Sequence, residues 1–282
     1  MRPAPKPVDD ITLRMIANAR MYSVTPEAAA AWKALLQEVL LRAKMGGEVI
    51  DYPAPAPLEA LWQRADLGCV FMCGLPFSLG LFPVAPLVAP VPLHSLGEGA
   101  GTYRSRLIVA QDSPFQRLEE TFGHRLAFTN PESHSGYSAL RHHLLPFLAT
   151  GKHQLYATAL GPLITPRRVV EAIVSGSADI GPVDGYAFEL LSRYEPELMR
   201  QVRVIDSTAS APMPLLVSAA TLPPEKRTAL QQIFLSLEHD PRVANLLNAL
   251  LLKGFIIPDP VDYQVLAQRA DNACQQGYSH LA

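Results

Sequence analysis

Phe128-Thr129-Asn130-Pro131-Glu132-Ser133-His134-Ser135-Gly136-Tyr137-Ser138-Ala139-Leu140-Arg141 reads as a short apolar strand that turns into a helix opened by hydroxyl residues. The first turn of a helix leaves backbone N–H groups without intrahelical partners, and the helix dipole adds partial positive charge there. Together with the Ser133 and Ser135 hydroxyls, those donors make a cradle for a phosphate, phosphonate, sulfonate or carboxylate that needs no lysine or arginine. The simpler reading is that Ser133 or Ser135 is only an N-cap. Both readings place the stretch at the carboxyl end of a strand in an alternating β/α series.

The series extends in both directions. Upstream, Ile11 to Ala19 reads as a first strand and Arg20 to Val24 as a loop. Thr25-Pro26 then opens a helix with a hydroxyl cap and proline at the first helical position. Trp32, Leu35, Leu36, Val39 and Leu40 recur at helical spacing, and Gly46-Gly47 supplies a stop. Glu48 to Tyr52 and Asp66 to Met72 read as strands. Between them the stiff connector Pro53-Ala54-Pro55-Ala56-Pro57 leads into a helix over Leu58 to Arg64. Cys73 to Phe77 reads as a loop, and Val84 to Leu93 as a strand made irregular by prolines.

After the break at Gly97 to Gly101, a strand over Tyr103 to Ala110 starts a second unit. The pattern then predicts helices over Phe115 to Phe122, Gly136 to Leu148, Pro166 to Ser175 and Tyr186 to Tyr194. These alternate with strands over Arg125 to Thr129, His153 to Ala159 and Ala178 to Val183. Val202 to Ile205 and Met213 to Ser218 read as later strands, and Pro223 to Leu237, Pro241 to Leu251 and Val261 to Gln275 as helices. Strands alternating with helices imply sheets covered on both faces, with ligands held beyond the strand carboxyl ends. That rule selects the loops at Tyr22-Ser23, Cys73-Gly74, Ser133 to Gly136, Gly161 to Thr165 and Asp184-Gly185-Tyr186.

Composition narrows the function classes. The chain has 282 residues, 49% hydrophobic and 18% charged, with a formal net charge of -2, which excludes disorder along its length and argues against a nucleic-acid surface. The expected partner is a small molecule or a protein. Met1 to Asp10 is proline-rich, without an apolar core or a cleavage site, so the sequence as written shows no secretion signal. The longest apolar region, Cys69 to Leu93, is interrupted by five prolines, so no membrane-spanning helix is expected. Cys69, Cys73 and Cys274 make no disulfide framework and have no histidines at metal-site spacing; neither metal nor cofactor is expected. His142-His143 reads as a helix surface pair.

The strings Tyr103-Arg104-Ser105-Arg106-Leu107-Ile108-Val109, Asp112-Ser113, Ser133-His134-Ser135-Gly136, Glu171 to Asp184 and Ala211-Pro212-Met213-Pro214 carry a likeness. In their order and spacing the chain resembles the phosphate/phosphonate-type substrate-binding proteins of ABC importers, over roughly Ile11 to Leu237. The resemblance implies an α/β, two-lobed type II periplasmic-binding-protein fold. Each lobe would be a mixed, mostly parallel sheet flanked by helices, with an interlobe cleft. The expected division is 1–103 for the N-terminal part of lobe 1, 104–210 for lobe 2, and 211–282 for a crossover and C-terminal helices packing mainly on lobe 1.

The resemblance further implies that Ser133, His134 and Ser135 present donors to an anionic head group, with Tyr103 on the crossing strand and Tyr22 on an aromatic loop. Asp184 would face the cationic end of an aminophosphonate-like ligand. Gly74 and Thr165 complete the ligand-binding set. One departure is visible: the family's histidine before the next helix is missing from Gly161-Pro162-Leu163-Ile164-Thr165-Pro166-Arg167-Arg168. The plainer alternatives stay open, with Tyr22 and Tyr103 as packing residues, Asp184 as a helix cap and Cys73 as a small apolar wall. Arg167 and Arg168 face either solvent or an acidic partner.

Two functions follow. The first is a solute-binding protein for a small anionic or zwitterionic ligand, closing about hinges near Gly101 to Arg106 and Ser210 to Pro214 and serving an ABC permease or a sensor. It would be periplasmic if the start is trimmed, and cytoplasmic as the sequence is written. The second is a cytosolic enzyme on the same fold, similar to a menaquinone-pathway chorismate dehydratase, with His134 and Asp184 as its acid/base candidates. Binding without catalysis is the preferred expectation.

Overall fold

The computed structural model describes residues 14–148 and 154–281. Met1 to Asp10, Ile11 at the start of the expected first strand, and His153 at the head of the expected His153 to Ala159 strand lie outside them.

Helix Pro26–Arg42 starts where its cap dictates, the Thr25 hydroxyl accepting from the Ala28 N–H at 3.2 Å. Its apolar stripe, Trp32, Leu35, Leu36, Val39 and Leu40, is buried against the largest core. The helix stops before the Gly46-Gly47 signal because Lys44 already turns the chain at φ +50°. The six-stranded sheet behind it runs in the order Leu252–Ile256, Val84–Pro92, Leu215–Ala219, Leu67–Met72, Met15–Asn18, Gly47–Val49.

The Met15–Asn18 strand pairs parallel with Gly47–Val49 and Leu67–Met72, as the alternating series requires. The other half of this sheet is antiparallel, which corrects the mostly parallel balance expected from the sequence. The reason is directional. Leu67–Met72 ends at the cleft, while Leu215–Ala219 enters from the other lobe and begins there, so Leu215 lies opposite Met72. A strand arriving without a crossover helix has no route to a parallel partner.

The second lobe centres on strand Ser105–Ala110, flanked antiparallel by Val202–Ser207 and Gly181–Asp184. Strands Arg125–Ala127 and Thr158–Leu160 pair parallel and join this sheet through a bridge between Leu126 and Ile180. Two smaller cores contain its apolar residues, one built on Leu107, Leu126 and Tyr156 and the other on Ile108, Val169 and Ile173.

Two crossings join the lobes side by side, Thr102–Tyr103 pairing antiparallel with Ala211–Pro212. Helices Pro224–Ser236 and Ala244–Ala249 put Leu230, Phe234 and Leu247 into the first core. The last helix, Gln264–Gln275, leads away from it. Tyr278 and Leu281 are buried in the second lobe, where Arg141 Nε donates to the Tyr278 carbonyl at 3.0 Å. Cys73 to Phe77 is not a loop: helix Gly74–Ser78 occupies it, Pro76 being tolerated because first-turn N–H groups have no partner to lose. Among the described residues no helix is long and apolar enough to cross a membrane.

Candidate ligand-binding site

The quoted stretch folds as a strand end laid against a tight helical turn. Ser133 Oγ accepts the Gly136 N–H at 3.0 Å, and the Ser138 N–H reaches the Ser133 carbonyl at 3.0 Å, five residues back. This is a π turn over His134–Ser138 that continues into α-helix Ala139–Leu144. Gly136 is needed for close approach, since a Cβ there would lie 1.8 Å from Thr129 Oγ1 and 2.9 Å from Thr129 Cβ. Thr129 is buried, and its hydroxyl has no hydrogen-bond partner among the described residues.

The neighbouring loop is tied to the same strand end. The Leu163 N–H donates to the Phe128 carbonyl at 3.1 Å and the Ile164 N–H to the Thr129 carbonyl at 3.1 Å, while Asn130 Nδ2 donates to the Ile164 carbonyl at 3.4 Å. These bonds hold Ile164 at φ +72°, a left-handed conformation that costs a β-branched residue about 1–3 kcal/mol. The bend delivers Thr165, whose hydroxyl caps helix Pro166–Val174 by accepting from the Arg168 N–H at 3.3 Å. Arg168 is exposed. Arg167 has acidic partners, with Nε 2.9 Å from a Glu195 oxygen and Nη1 bonded to Glu171.

Asp184 ends strand Gly181–Asp184 and caps helix Gly185–Tyr194, its Oδ1 accepting from Tyr186 N at 2.9 Å and Ala187 N at 3.1 Å. The Tyr22 hydroxyl, from the other lobe, donates to Oδ2 at 3.4 Å. Burial pushes the Asp184 carboxyl up to about 6, against the backbone donors and the Ser135 and Tyr22 hydroxyls that favour its ionised form. Near neutral pH it is therefore a buried carboxylate, and no lysine or arginine pairs with it among the described residues.

Between the lobes these groups line a cavity of ≈ 490 Å³. The second lobe contributes Thr129, Ser133, Ser135, Thr165 and Asp184; the first contributes the Arg20 to Val24 loop, the Pro55 to Glu59 strap, Trp62 and Cys73. Arg20 is engaged elsewhere, donating to the Ala56 carbonyl and lying 5.7 Å from the centre of the Tyr52 ring. Trp62 is fixed by its Nε1–H bond to the Phe71 carbonyl at 2.8 Å. A second cavity of ≈ 440 Å³ adjoins at Arg20, Ser23 and Thr165.

Of the residues selected from sequence, Tyr22, Ser133, Ser135, Thr165 and Asp184 line the cavity, while Gly74, Tyr103 and His134 do not. Gly74 opens its helix against the C-terminal segment, where a Cβ would lie 2.6 Å from Leu266 Cδ1. Tyr103 is buried off the cavity lining; burial first, then the Asp184 charge, holds its hydroxyl well above its ordinary pKa.

His134 faces away from the cavity lining, edge-on to Tyr103 with ring centres 6.4 Å apart. Only its backbone bridges the lobes, its N–H donating to Cys73 Sγ at 3.3 Å. Burial, then the charges of Arg269 and His142, pushes the imidazole down to about 3, and both ring nitrogens lack partners among the described residues. A neutral, unpartnered imidazole off the cavity is poorly placed for acid/base work. Cys73 lines the cavity with its thiol pushed up by burial, which suits an apolar wall. Thr129 also lines the cavity, and its only sequence signal is its place one residue past the apolar strand end.

Two lobes joined by paired crossings, with strand ends and helix N-termini converging on the cavity between them, define a solute receptor. A family model described as ABC transporter, phosphonate, periplasmic substrate-binding protein matches residues 74–263, and the chain belongs to that family.

Solved structures share the fold. The binding protein component of an ABC phosphonate transporter from Pseudomonas aeruginosa is 17% identical, with 94% of this chain and 88% of that chain covered at a TM-score of 0.78. PhnD1 from Prochlorococcus marinus, in complex with methylphosphonate, is 13% identical, covering 94% and 99% at 0.77. A Xanthomonas citri protein bound to ATP is 21% identical, covering 93% and 98% at 0.66. No curated protein sequence matches the chain. The family is one of solute-binding proteins, so the dehydratase-like enzyme considered from sequence has no support from it.

Proposed function

We propose that this protein captures a zwitterionic organic anion, with the acidic head group on the second-lobe wall and the cationic group at Asp184. The observation that carries this reading is the buried Thr129 hydroxyl, without a partner among the described residues, set beside the Ser133 to Gly136 turn on the same cavity. A buried hydroxyl left unpaired is costly, and an oxyanion would satisfy it together with first-turn N–H groups. The histidine missing from Gly161 to Arg168 fits a head-group site built from hydroxyls and amides. Asp184, ionised near neutral pH and without a cationic partner, supports an amine on the ligand.

Closure turns on the crossings near 101–106 and 210–214, with the described parts of the first lobe moving against those of the second. Tyr22 to Asp184, and the Tyr186 hydroxyl to the Leu250 carbonyl at 2.5 Å, are interlobe contacts already present in the structure that opening would break. The setting is the periplasm, and the partner an ABC permease. The test is calorimetry and thermal shift with phosphate, methylphosphonate, an aminoalkylphosphonate, malate and chorismate, followed by mass analysis of the recovered ligand. The aminoalkylphosphonate should bind best and return unchanged; turnover of chorismate, or preference for malate over every phosphonate, overturns the reading.

A further inference from the structure

The two walls of the ≈ 490 Å³ cavity differ in chemistry. The hydroxyl and carboxylate caps of helix N-termini, Ser133, Thr165 and Asp184, come from the second lobe. Opposite them, the first lobe presents Met21, Val24, Pro55, Pro57, Leu58 and Trp62. Of the polar groups on that side, the Glu59 carboxylate near Arg20 has no hydrogen-bond partner among the described residues, and the others named here are committed. Arg20 is bound to the Ala56 carbonyl, Trp62 Nε1 to Phe71, and Tyr22 to Asp184. The strap is also stiff: prolines at 53, 55 and 57 restrict its backbone, and the Ala56 N–H closes a turn onto the Pro53 carbonyl at 3.2 Å.

A one-carbon phosphonate would satisfy the second-lobe wall and leave the first-lobe wall facing water. The cavity volume lies in the range of about 300–1,000 Å³ typical of sites for larger organic ligands.

The geometry points to a ligand whose acidic head group carries an apolar body, alkyl or aryl, that lies on Met21, Pro55, Pro57, Leu58 and Trp62. This rests on the head-group reading above and specifies the class of organophosphonate taken. Burying each added methylene on this wall should strengthen binding about fourfold. From methyl- to butylphosphonate the dissociation constant should fall on the order of tenfold to a hundredfold, and benzylphosphonate should behave like the butyl compound.

The experiment is isothermal titration of the full chain with inorganic phosphate, methyl-, butyl- and benzylphosphonate. It is repeated on Leu58→Asn and Met21→Gln, both half-buried positions, after circular dichroism has checked the fold. The expected result is an affinity that climbs with the apolar body in the parent protein, and a butyl-to-methyl preference that shrinks towards one in the variants. Tight methylphosphonate binding with no gain from butyl or benzyl overturns this inference and leaves the head-group reading standing. No binding to any phosphonate defeats both. Should a variant fail to fold, the parent series alone decides.

Discussion

The second-lobe wall of the cavity is made of caps, and the first-lobe wall of a strap. Ser133, Thr165 and Asp184 each end a strand or loop and begin a helix, so their oxygens are held by backbone N–H groups 2.9–3.3 Å away. That order also points the helix N-termini at the cavity. The strap from Pro53 to Pro57 also runs into a helix, the short Leu58–Trp62, but Pro57 at its start supplies no side-chain cap; the strap's position comes from prolines, Arg20 and the Tyr52 ring. Polar donors are thus fixed by local capping rules on one side, and apolar surface is fixed by packing on the other. The difference separates what recognises a charge from what measures the rest of a ligand.

The largest effect should come from stripping the donors. Thr129→Val with Ser135→Ala removes two hydrogen bonds to a charged group, each worth about 1.5–3 kcal/mol, so phosphonate affinity should fall on the order of 10²–10⁴-fold by calorimetry. An unchanged dissociation constant would show that the second-lobe wall does not hold the head group. Gly136→Ala should weaken binding comparably with both hydroxyls in place, because its Cβ would push the turn off Thr129.

Asp184 tests the same wall through pH. Its folded carboxyl titrates near 6 against an ordinary 3.8, so the fold favours the protonated form. The neutral carboxyl's advantage is complete below about pH 4 and is lost as pH rises through 6, a change of about 3 kcal/mol from the 2.2-unit difference at 1.36 kcal/mol each. Asp184→Asn should therefore melt higher than the parent, without ligand, above pH 6 and converge with it near pH 4. Parallel melting curves across that interval would contradict the assignment. The same variant should lose affinity for an aminoalkylphosphonate and keep it for methylphosphonate.

Smaller effects distinguish closure from capping. Tyr186→Phe removes the interlobe bond to the Leu250 carbonyl and should weaken ligand binding a few-fold, consistent with about 0.5–1.5 kcal/mol for one hydrogen bond. Thr165→Ala should cost about 1 kcal/mol as a lost cap, seen as a melting temperature lower by about 2–4 °C. If it instead reduces affinity as strongly as the Thr129 and Ser135 pair, Thr165 is a ligand contact and the wall extends onto the next helix.

Much of this was legible in local signals. Thr25-Pro26 started its helix, Thr165-Pro166 started another, and the Asp184 and Ser133 caps lie where strand-to-helix punctuation put them. Strand Leu252–Ile256 escaped notice because it pairs only at the sheet edge with Val84–Pro92, after Leu251 turns at φ +53°. The antiparallel half of the large sheet was equally hidden, since strand direction depends on where the chain re-enters the lobe. His134 looked like a site residue because its neighbours are. The π turn sends adjacent side chains in different directions, and only Ser133 and Ser135 reach the cavity.

Order along the chain was enough to set helix starts, strand ends, the alternation that makes two α/β units, and the hydroxyl-rich turn at Ser133 to Gly136. These depend on neighbours a few residues apart, where hydrogen-bond geometry is short-range. Tertiary structure decided which of those turns share a cavity and what faces them. Thr129 can pack against the turn because Gly136 carries no side chain, Asp184 is raised because it is buried, and the proline strap becomes a wall only when it lies opposite the caps. Burial and juxtaposition depend on residues distant in the chain, and they set the chemistry that local pattern could only outline.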